Sequence, residues 1–192
     1  NKVRPEWSFV ENVICLQDGP QNVLHYEELI ERYPPHEPGC LVEEDDILFL
    51  YYTSGTTSLP KGVALTHKAI LANAINMVIN FEMRSDIRTV AVHPLFFTAP
   101  INCTILPAVY LGGVTVVLDG FDPESFLSTV QKEKITNVIV VPTMLIRLLE
   151  HSDIDKYDLS SLRQVLYGSA SMPVARLKEA IQRFGRIFAQ GY

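Results

Sequence analysis

Between Tyr52 and Gly62 the chain gathers Thr53, Ser54, Thr56, Thr57 and Ser58, two glycines, Gly55 and Gly62, and one lysine, Lys61. Backbone N–H groups freed by glycine turns, together with Ser and Thr hydroxyls, donate hydrogen bonds to phosphate oxygens. A lysine adds a point charge that can follow a departing polyphosphate. That chemistry suits a triphosphate whose terminal part is held and then released. By composition alone, a loop of this kind is more often a plain hairpin turn. A Walker-type loop is a second alternative, since Gly55 and Lys61 have its separation. It needs Gly before the lysine and Ser or Thr after it, where this chain has Pro60 and Gly62. Its lysine also opens a helix, whereas Lys61 precedes a strand-like apolar stretch.

The elements around the loop alternate between short apolar runs and helical patterns. Ile47–Tyr52 is an uninterrupted apolar run, the pattern of a parallel strand covered on both faces. Gly62–Leu65 reads as a short strand and His67–Met83 as a helix. Strands follow over Thr89–Val92 and Val114–Leu118. Asp122-Pro123-Glu124 opens a helix to Lys134 with an N-cap residue and a first-turn proline. Asn137–Val141 is a strand, with Thr143 capping a helix to Glu150. Gln164–Tyr167 reads as a strand, Pro173–Phe184 as a helix and Arg186–Ala189 as a last strand. Strands separated by helices of this length imply βαβ crossovers and an α/β fold with a mainly parallel sheet. Before residue 42 the pattern is weaker: Phe9–Leu16 fits a strand and Leu24–Arg32 a helix. The acidic run Glu43–Asp46 reads as a solvated turn.

The loop closely resembles the phosphate-binding signature of the adenylate-forming superfamily, which includes acyl-CoA synthetases. That signature, Tyr-Thr-Ser-Gly-Thr-Thr-Gly-x-Pro-Lys-Gly-Val, is matched at every defined position except one. Three further segments fall in the family's order. His93-Pro94-Leu95-Phe96 resembles the motif opening the acyl pocket. Tyr167-Gly168-Ser169-Ala170-Ser171-Met172-Pro173 resembles the turn lining the adenine and acyl sites. Gln190-Gly191-Tyr192 resembles the start of the next motif, whose tyrosine stacks on adenine. Each is weak alone, because a Gly-Ser-Ala turn after a strand is usually a plain βα connection.

The resemblance implies part of the N-terminal domain of an AMP-binding enzyme, with residues 1–41 as an edge segment and 42–192 as its core. It implies an acid–CoA ligase acting on a fatty or aryl acid with ATP, Mg2+ and coenzyme A. Thr53, Ser54, Thr56, Thr57 and Lys61 would hold the β- and γ-phosphates, with Gly55 and Gly62 permitting close approach. Gly168, Ser169, Ala170 and Gly191 would line the nucleotide site, Tyr192 would stack on adenine, and Phe96 and Phe97 would border the acid. Apolar residues such as Phe96, Phe97, Ile101 and Ile105 equally form ordinary helix core. The magnesium-associated glutamate, the ribose-binding aspartate and the C-terminal domain with its catalytic lysine are expected downstream of Tyr192. On that expectation the isolated 192 residues are inactive.

Two positions depart from the family pattern. Ser58 replaces a glycine, costing on the order of 1 kcal/mol if that position needs positive φ. Phe97 stands where many members carry histidine, which implies a more apolar acid site. These departures keep open a second reading, a non-catalytic nucleotide- or acyl-binding module of the same fold.

The bulk properties narrow the classes further. A net charge of −6 does not build a surface for nucleic acid, which needs clustered Lys and Arg. No stretch approaches the ~20 apolar residues of a transmembrane helix, and no signal peptide opens the chain. Cys15, Cys40 and Cys103 lack metal or redox spacing, which favours a reduced, cytoplasmic protein. Histidine and cysteine spacing offers no metal site.

Overall fold

In a computed structural model, the structure describes residues 9–16, 23–53 and 59–191. The chain divides into two units, Asn1–Val42 and Glu43–Tyr192. The first contains strands β1 (Ile14–Cys15) and β2 (Leu24–His25), paired in parallel, and helix α1 (Tyr26–Arg32). The strand expected over Phe9–Leu16 is thus two residues long. The helix expected from Leu24 begins at Tyr26, because Leu24 and His25 are extended and pair with β1. No residue of α1 is buried.

The second unit opens on an antiparallel hairpin of β3 (Ile47–Thr53) and β4 (Lys61–Thr66). The expectation of a parallel strand covered on both faces fails here. Phe49 and Tyr51 are the half-buried positions of β3, while Leu48, Leu50 and Tyr52 on the alternate face are exposed. A continuous apolar run does not distinguish this arrangement from a buried parallel strand. The acidic run does form an exposed turn, closed by Asp46 N–H to Glu43 O at 3.1 Å.

Helix α2 (His67–Asn80) follows β4 directly, and the Thr66 hydroxyl accepts from the Ala69 N–H at 3.2 Å as its N-cap. The helix buries Ile70 and Ala74 but leaves Leu71 and Ile79 exposed. Its first turn is tied to the chain ahead of β3, with His67 N–H donating to Asp46 O and Lys68 N–H to Glu44 O. Hairpin and helix are therefore anchored at the end away from the loop.

The remaining strands form one parallel sheet in the order β6-β5-β7-β8-β9. They are β5 (Arg88–Ala91), β6 (Val114–Val117), β7 (Asn137–Val140), β8 (Gln164–Gly168) and β9 (Phe188–Gly191). Between β5 and β6 run a π-helical turn (Pro100–Ile105) and α3 (Leu106–Tyr110), neither expected from the sequence. Pro100 and Pro107 interrupt the helical pattern there, and both are accommodated at first-turn positions. Helices α4 (Pro123–Glu133), α5 (Pro142–Leu149) and α6 (Val174–Phe184) complete the crossovers.

Asp122 caps α4 as expected, its carboxylate accepting from the Ser125 N–H at 2.9 Å. That bond holds the Asp122 carboxyl below the usual carboxylate range. Thr143 does not cap α5: the helix starts at Pro142, behind Val141, with no side-chain cap.

Strand alternation divides the core between the two faces of the sheet. Val90, Val138, Val140, Val165 and Tyr167 join Phe126, Leu127 and Val130 of α4 and Leu145, Leu148 and Leu149 of α5 in one buried cluster. Thr89, Ala91 and Leu166 alternate with those strand residues and are buried too. Covered faces on both sides account for the Val-rich strand β7, whereas edge strand β6 leaves Val114 and Val117 exposed. Leu127 is 1% exposed at the centre of the cluster. Leu127→Ala should cost about 2–5 kcal/mol, read as a lower urea midpoint for this domain at unchanged slope.

Candidate active site

The strand order places β5 in the interior, with β6 on one side and β7, β8 and β9 on the other. Chain direction across the sheet therefore reverses between β5 and β7, and in open α/β sheets the crevice beyond the carboxyl ends at such a reversal takes ligands. Two sequence-singled segments stand at these carboxyl ends. His93-Pro94-Leu95-Phe96-Phe97 leaves β5, and Gly168-Ser169-Ala170 leaves β8. The topology thus singles out this end of the sheet independently of any motif.

The segment after β5 is a turn, with Phe97 N–H donating to Pro94 O at 3.1 Å. Phe96 and Phe97 pack ring on ring, centroids 4.5 Å apart, yet are 75% and 55% exposed. They do not serve as helix core in this chain. His93 is half-buried, and burial pushes its imidazole pKa down. The neutral ring is therefore favoured near pH 7, a hydrogen-bonding group rather than a cation.

The β8 turn is shaped by backbone crowding. Gly168 pairs with Gly191 of β9, and a Cβ at Gly168 would stand 2.7 Å from the Gly191 carbonyl oxygen. Glycine is required there by close strand approach. Ser169 follows at φ 66°, left-handed backbone for a non-glycine residue. It stores strain on the order of 1 kcal/mol at the mouth of the sheet. Ser169 and Ala170 are exposed. The buried Tyr167 ring directs its hydroxyl to Gln190 Oε1 at 3.3 Å, so the β8 turn and Gln190-Gly191 are joined by both backbone and side chain.

The phosphate-loop candidates sit on the hairpin. Thr53, the last residue of β3, pairs with Lys61, the first of β4, and Tyr52 pairs with Gly62. Thr53, Lys61 and Gly62 are exposed. Lys61 begins a strand rather than a helix, unlike the lysine of a Walker loop. A Cβ on Gly62 would come 3.1 Å from Leu50 Cδ1 and 3.4 Å from Tyr52 Cζ, so the missing side chain also makes room for the cross-strand residues. Ser54, Gly55, Thr56, Thr57 and Ser58 lie outside the described residues, as does Tyr192.

The structure therefore brings the predicted residues together in three groups: Thr53 with Lys61 and Gly62, Phe96 with Phe97, and Gly168–Ala170 with Gly191. Sequence reasoning passed over two residues whose side chains carry buried, unpartnered oxygens, Tyr51 on β3 and Asn102 in the π-helical turn. Burial pushes the Tyr51 phenol pKa up, the Asn102 side chain acting the opposite way. No sequence signal marks either beyond the prolines flanking Asn102. Among the described residues no three His, Cys, Asp or Glu side chains converge as a metal site, and no helix is long and apolar enough to cross a membrane.

A parallel sheet with a switch point, preceded by an antiparallel hairpin, defines an α/β class whose crevice takes ligands. The chain belongs to the AMP-binding enzyme family, which it matches over residues 3–192. It is 35% identical over 164 residues to 4-coumarate–CoA ligase 2 of Petroselinum crispum, covering 83% of this chain and 30% of that protein. It is 38% identical over 159 residues to feruloyl-CoA synthase of Amycolatopsis sp, covering 83% of this chain and 32% of that one. The chain thus spans about a third of the length of these curated relatives.

Among solved structures, the anthranilate CoA ligase AuaEII in complex with anthranoyl-AMP superposes with a TM-score of 0.87 at 27% identity, over 100% of this chain and 38% of that one. The N-terminal domain of FACL13 from Mycobacterium tuberculosis gives 0.79 at 27% identity, over 88% and 43%. The α/β fold with a parallel sheet is that of the N-terminal domains of adenylate-forming enzymes.

The two positions of the β8 turn respond oppositely to small substitutions. Gly168→Ala should destabilise the domain and loosen β9, because its methyl meets backbone rather than a movable side chain. Ser169→Gly should stabilise it by up to ~1 kcal/mol, since the left-handed conformation costs glycine nothing. Thermal denaturation of both variants checks the pair of signs.

Proposed function

We propose that the whole protein is an acid–CoA ligase that activates a carboxylic acid with ATP as an acyl-adenylate and passes the acyl group to coenzyme A. The observation that carries this reading is the Tyr52–Gly62 segment hung on a hairpin whose register sets Thr53 opposite Lys61. The names of the similar proteins support an aryl acid as the first class to test. The exposed pair Phe96 and Phe97 supports it further, offering two packed, mutually tilted rings at the carboxyl end of β5.

In the first half-reaction a carboxylate oxygen attacks the α-phosphorus in line, and pyrophosphate leaves with the bridging electron pair. This chain's contribution is positioning and charge stabilisation. Thr53, Ser54, Thr56 and Thr57 donate hydroxyl hydrogen bonds to the β- and γ-phosphates, and the Lys61 ammonium offsets charge building on the leaving pyrophosphate. Gly168, Ser169 and Ala170 offer a side-chain-poor rim for the base and the acyl group, with Gly191 beside them and Tyr192 stacking on adenine. In the second half-reaction a thiolate attacks the acyl carbon and AMP leaves. Magnesium, when bound, shields the polyphosphate charge and orients the leaving group. Thr53 and the hydroxyls beyond it are oxygen donors of the kind it accepts, and the carboxylate ligand expected by family resemblance is not among the residues described.

Acid-dependent ATP–pyrophosphate exchange by the full-length protein tests this reading. Exchange should occur with hydroxycinnamate- or benzoate-type acids in preference to short aliphatic ones. Lys61→Ala should lower its rate by about 100-fold or more, in the range lost with one donor to developing charge. A folded, magnesium-supplied protein that exchanges with no acid of any class would favour the non-catalytic module and make Ser58→Gly the first reversion to examine.

A further inference from the structure

Tyr167 is a phenol set among apolar neighbours. It is 4% exposed and belongs to the buried cluster with Val140, Val165 and the leucines of α5. A phenylalanine would fill the same volume, so packing alone does not account for the hydroxyl. A buried hydroxyl is costly without a partner, and this one donates to Gln190 Oε1 at 3.3 Å. Among the described residues it is the only side-chain hydrogen bond joining β8 to β9. The two residues are register partners, which places them on the same face of the sheet. Gln190 is exposed, so holding its side chain in one place costs conformational entropy that solvation would not. Among the described residues β9 is an edge strand of four residues, paired to β8 alone. The next register pair toward the carboxyl ends is Gly168 with Gly191, which has no side chains with which to hold itself. A Cβ on Gly168 would meet the Gly191 carbonyl, so that pair tolerates little change in spacing. Ser169 follows in its left-handed conformation, and such strain persists only where the surroundings hold it.

We propose that Tyr167 is a positioning residue for nucleotide binding: its hydrogen bond to Gln190 sets the distance between the Gly168–Ala170 turn and Gly191, and so shapes the rim that receives the adenine end of ATP. Tyr167 itself touches no reacting atom. It acts through Gln190 and through the backbone one residue further along both strands. The proposal rests on the ligase reading above. Its effect is confined to the base end of the nucleotide, because the β- and γ-phosphates are assigned to the hairpin loop, which a different sheet carries. Loss of the bond therefore weakens the hold on ATP and leaves the hold on pyrophosphate as it was.

The test is acid-dependent ATP–pyrophosphate exchange by the full-length protein and its Tyr167→Phe, Gln190→Leu and double variants, with KM for ATP and for pyrophosphate measured separately. Tyr167→Phe keeps the ring and removes only the hydroxyl. It should raise KM for ATP about fivefold, the equivalent of one hydrogen bond, with KM for pyrophosphate unchanged. The double variant should be no worse than the poorer single one, because both substitutions remove the same bond. A merely structural role would lower the amount of active protein and leave both KM values in place. That result in folded Tyr167→Phe protein would overturn the proposal, as would an equal rise in both KM values or ATP effects that add in the double variant. A wild type that exchanges with no acid would remove the ligase reading instead. Calorimetric titration of the same proteins with magnesium–ATP and magnesium–pyrophosphate would then decide the positioning role, by the same split between the two ligands.

Discussion

The antiparallel register of β3 and β4 is the constraint on which the site depends. Pairing of Tyr51 with Val63, Tyr52 with Gly62 and Thr53 with Lys61 fixes where the chain leaves β3 and re-enters at β4. A slip of one residue would turn Tyr51 to the exposed face and Leu50 to the half-buried one. It would also move Lys61 out of line with Thr53. The register is held from the far end, where His67 and Lys68 of α2 donate backbone hydrogen bonds to carbonyls of the Glu43–Asp46 turn, and by the Phe49–Tyr51 face. The exposed face of Leu48, Leu50 and Tyr52 contributes less, because it gains little burial among the described residues.

The parallel sheet supplies the second half of the arrangement. Its order puts β5 beside β7 at the reversal of chain direction, so the turn after β5 opens onto a crevice edge. The same sheet brings β9 so close to β8 that Gly168 has no room for a side chain. A glycine demanded by crowding and a serine held left-handed stand side by side at that edge. Backbone shape here is set by packing of the strands, which leaves a side-chain-poor rim at this edge.

Much of this was legible in the sequence. The Asp122 cap, the glycine-bounded β6 and the Val-rich β7 are local signals that agree with the fold, and so all three lie within a residue or two of expectation. The hairpin was not legible as a hairpin, because Ile47–Tyr52 is apolar on both faces and periodicity cannot then report the partner's direction. Thr143 looked like a cap by residue type, yet Pro142 already satisfies the first turn of α5 with its fixed φ and missing N–H. The π-helical turn, and with it Asn102, is a tertiary outcome: Asn73 and the prolines hold it, and no periodic pattern announces an inserted residue. Within the candidate site, the hairpin-loop and β8-turn residues were proposed from their motifs, whereas Tyr51 draws notice only through its buried, unpartnered hydroxyl.

The nucleotide product of the full-length reaction tests the account most directly. With ATP, magnesium, coenzyme A and an aryl acid, the proposed ligase reading predicts AMP formed in step with acyl-CoA and no ADP on chromatography of the products, because that reading has attack on the α-phosphorus with Thr53 and Lys61 at the departing pyrophosphate. ADP and inorganic phosphate in place of AMP would mean that attack falls on the γ-phosphorus, and would contradict the assignment of this loop.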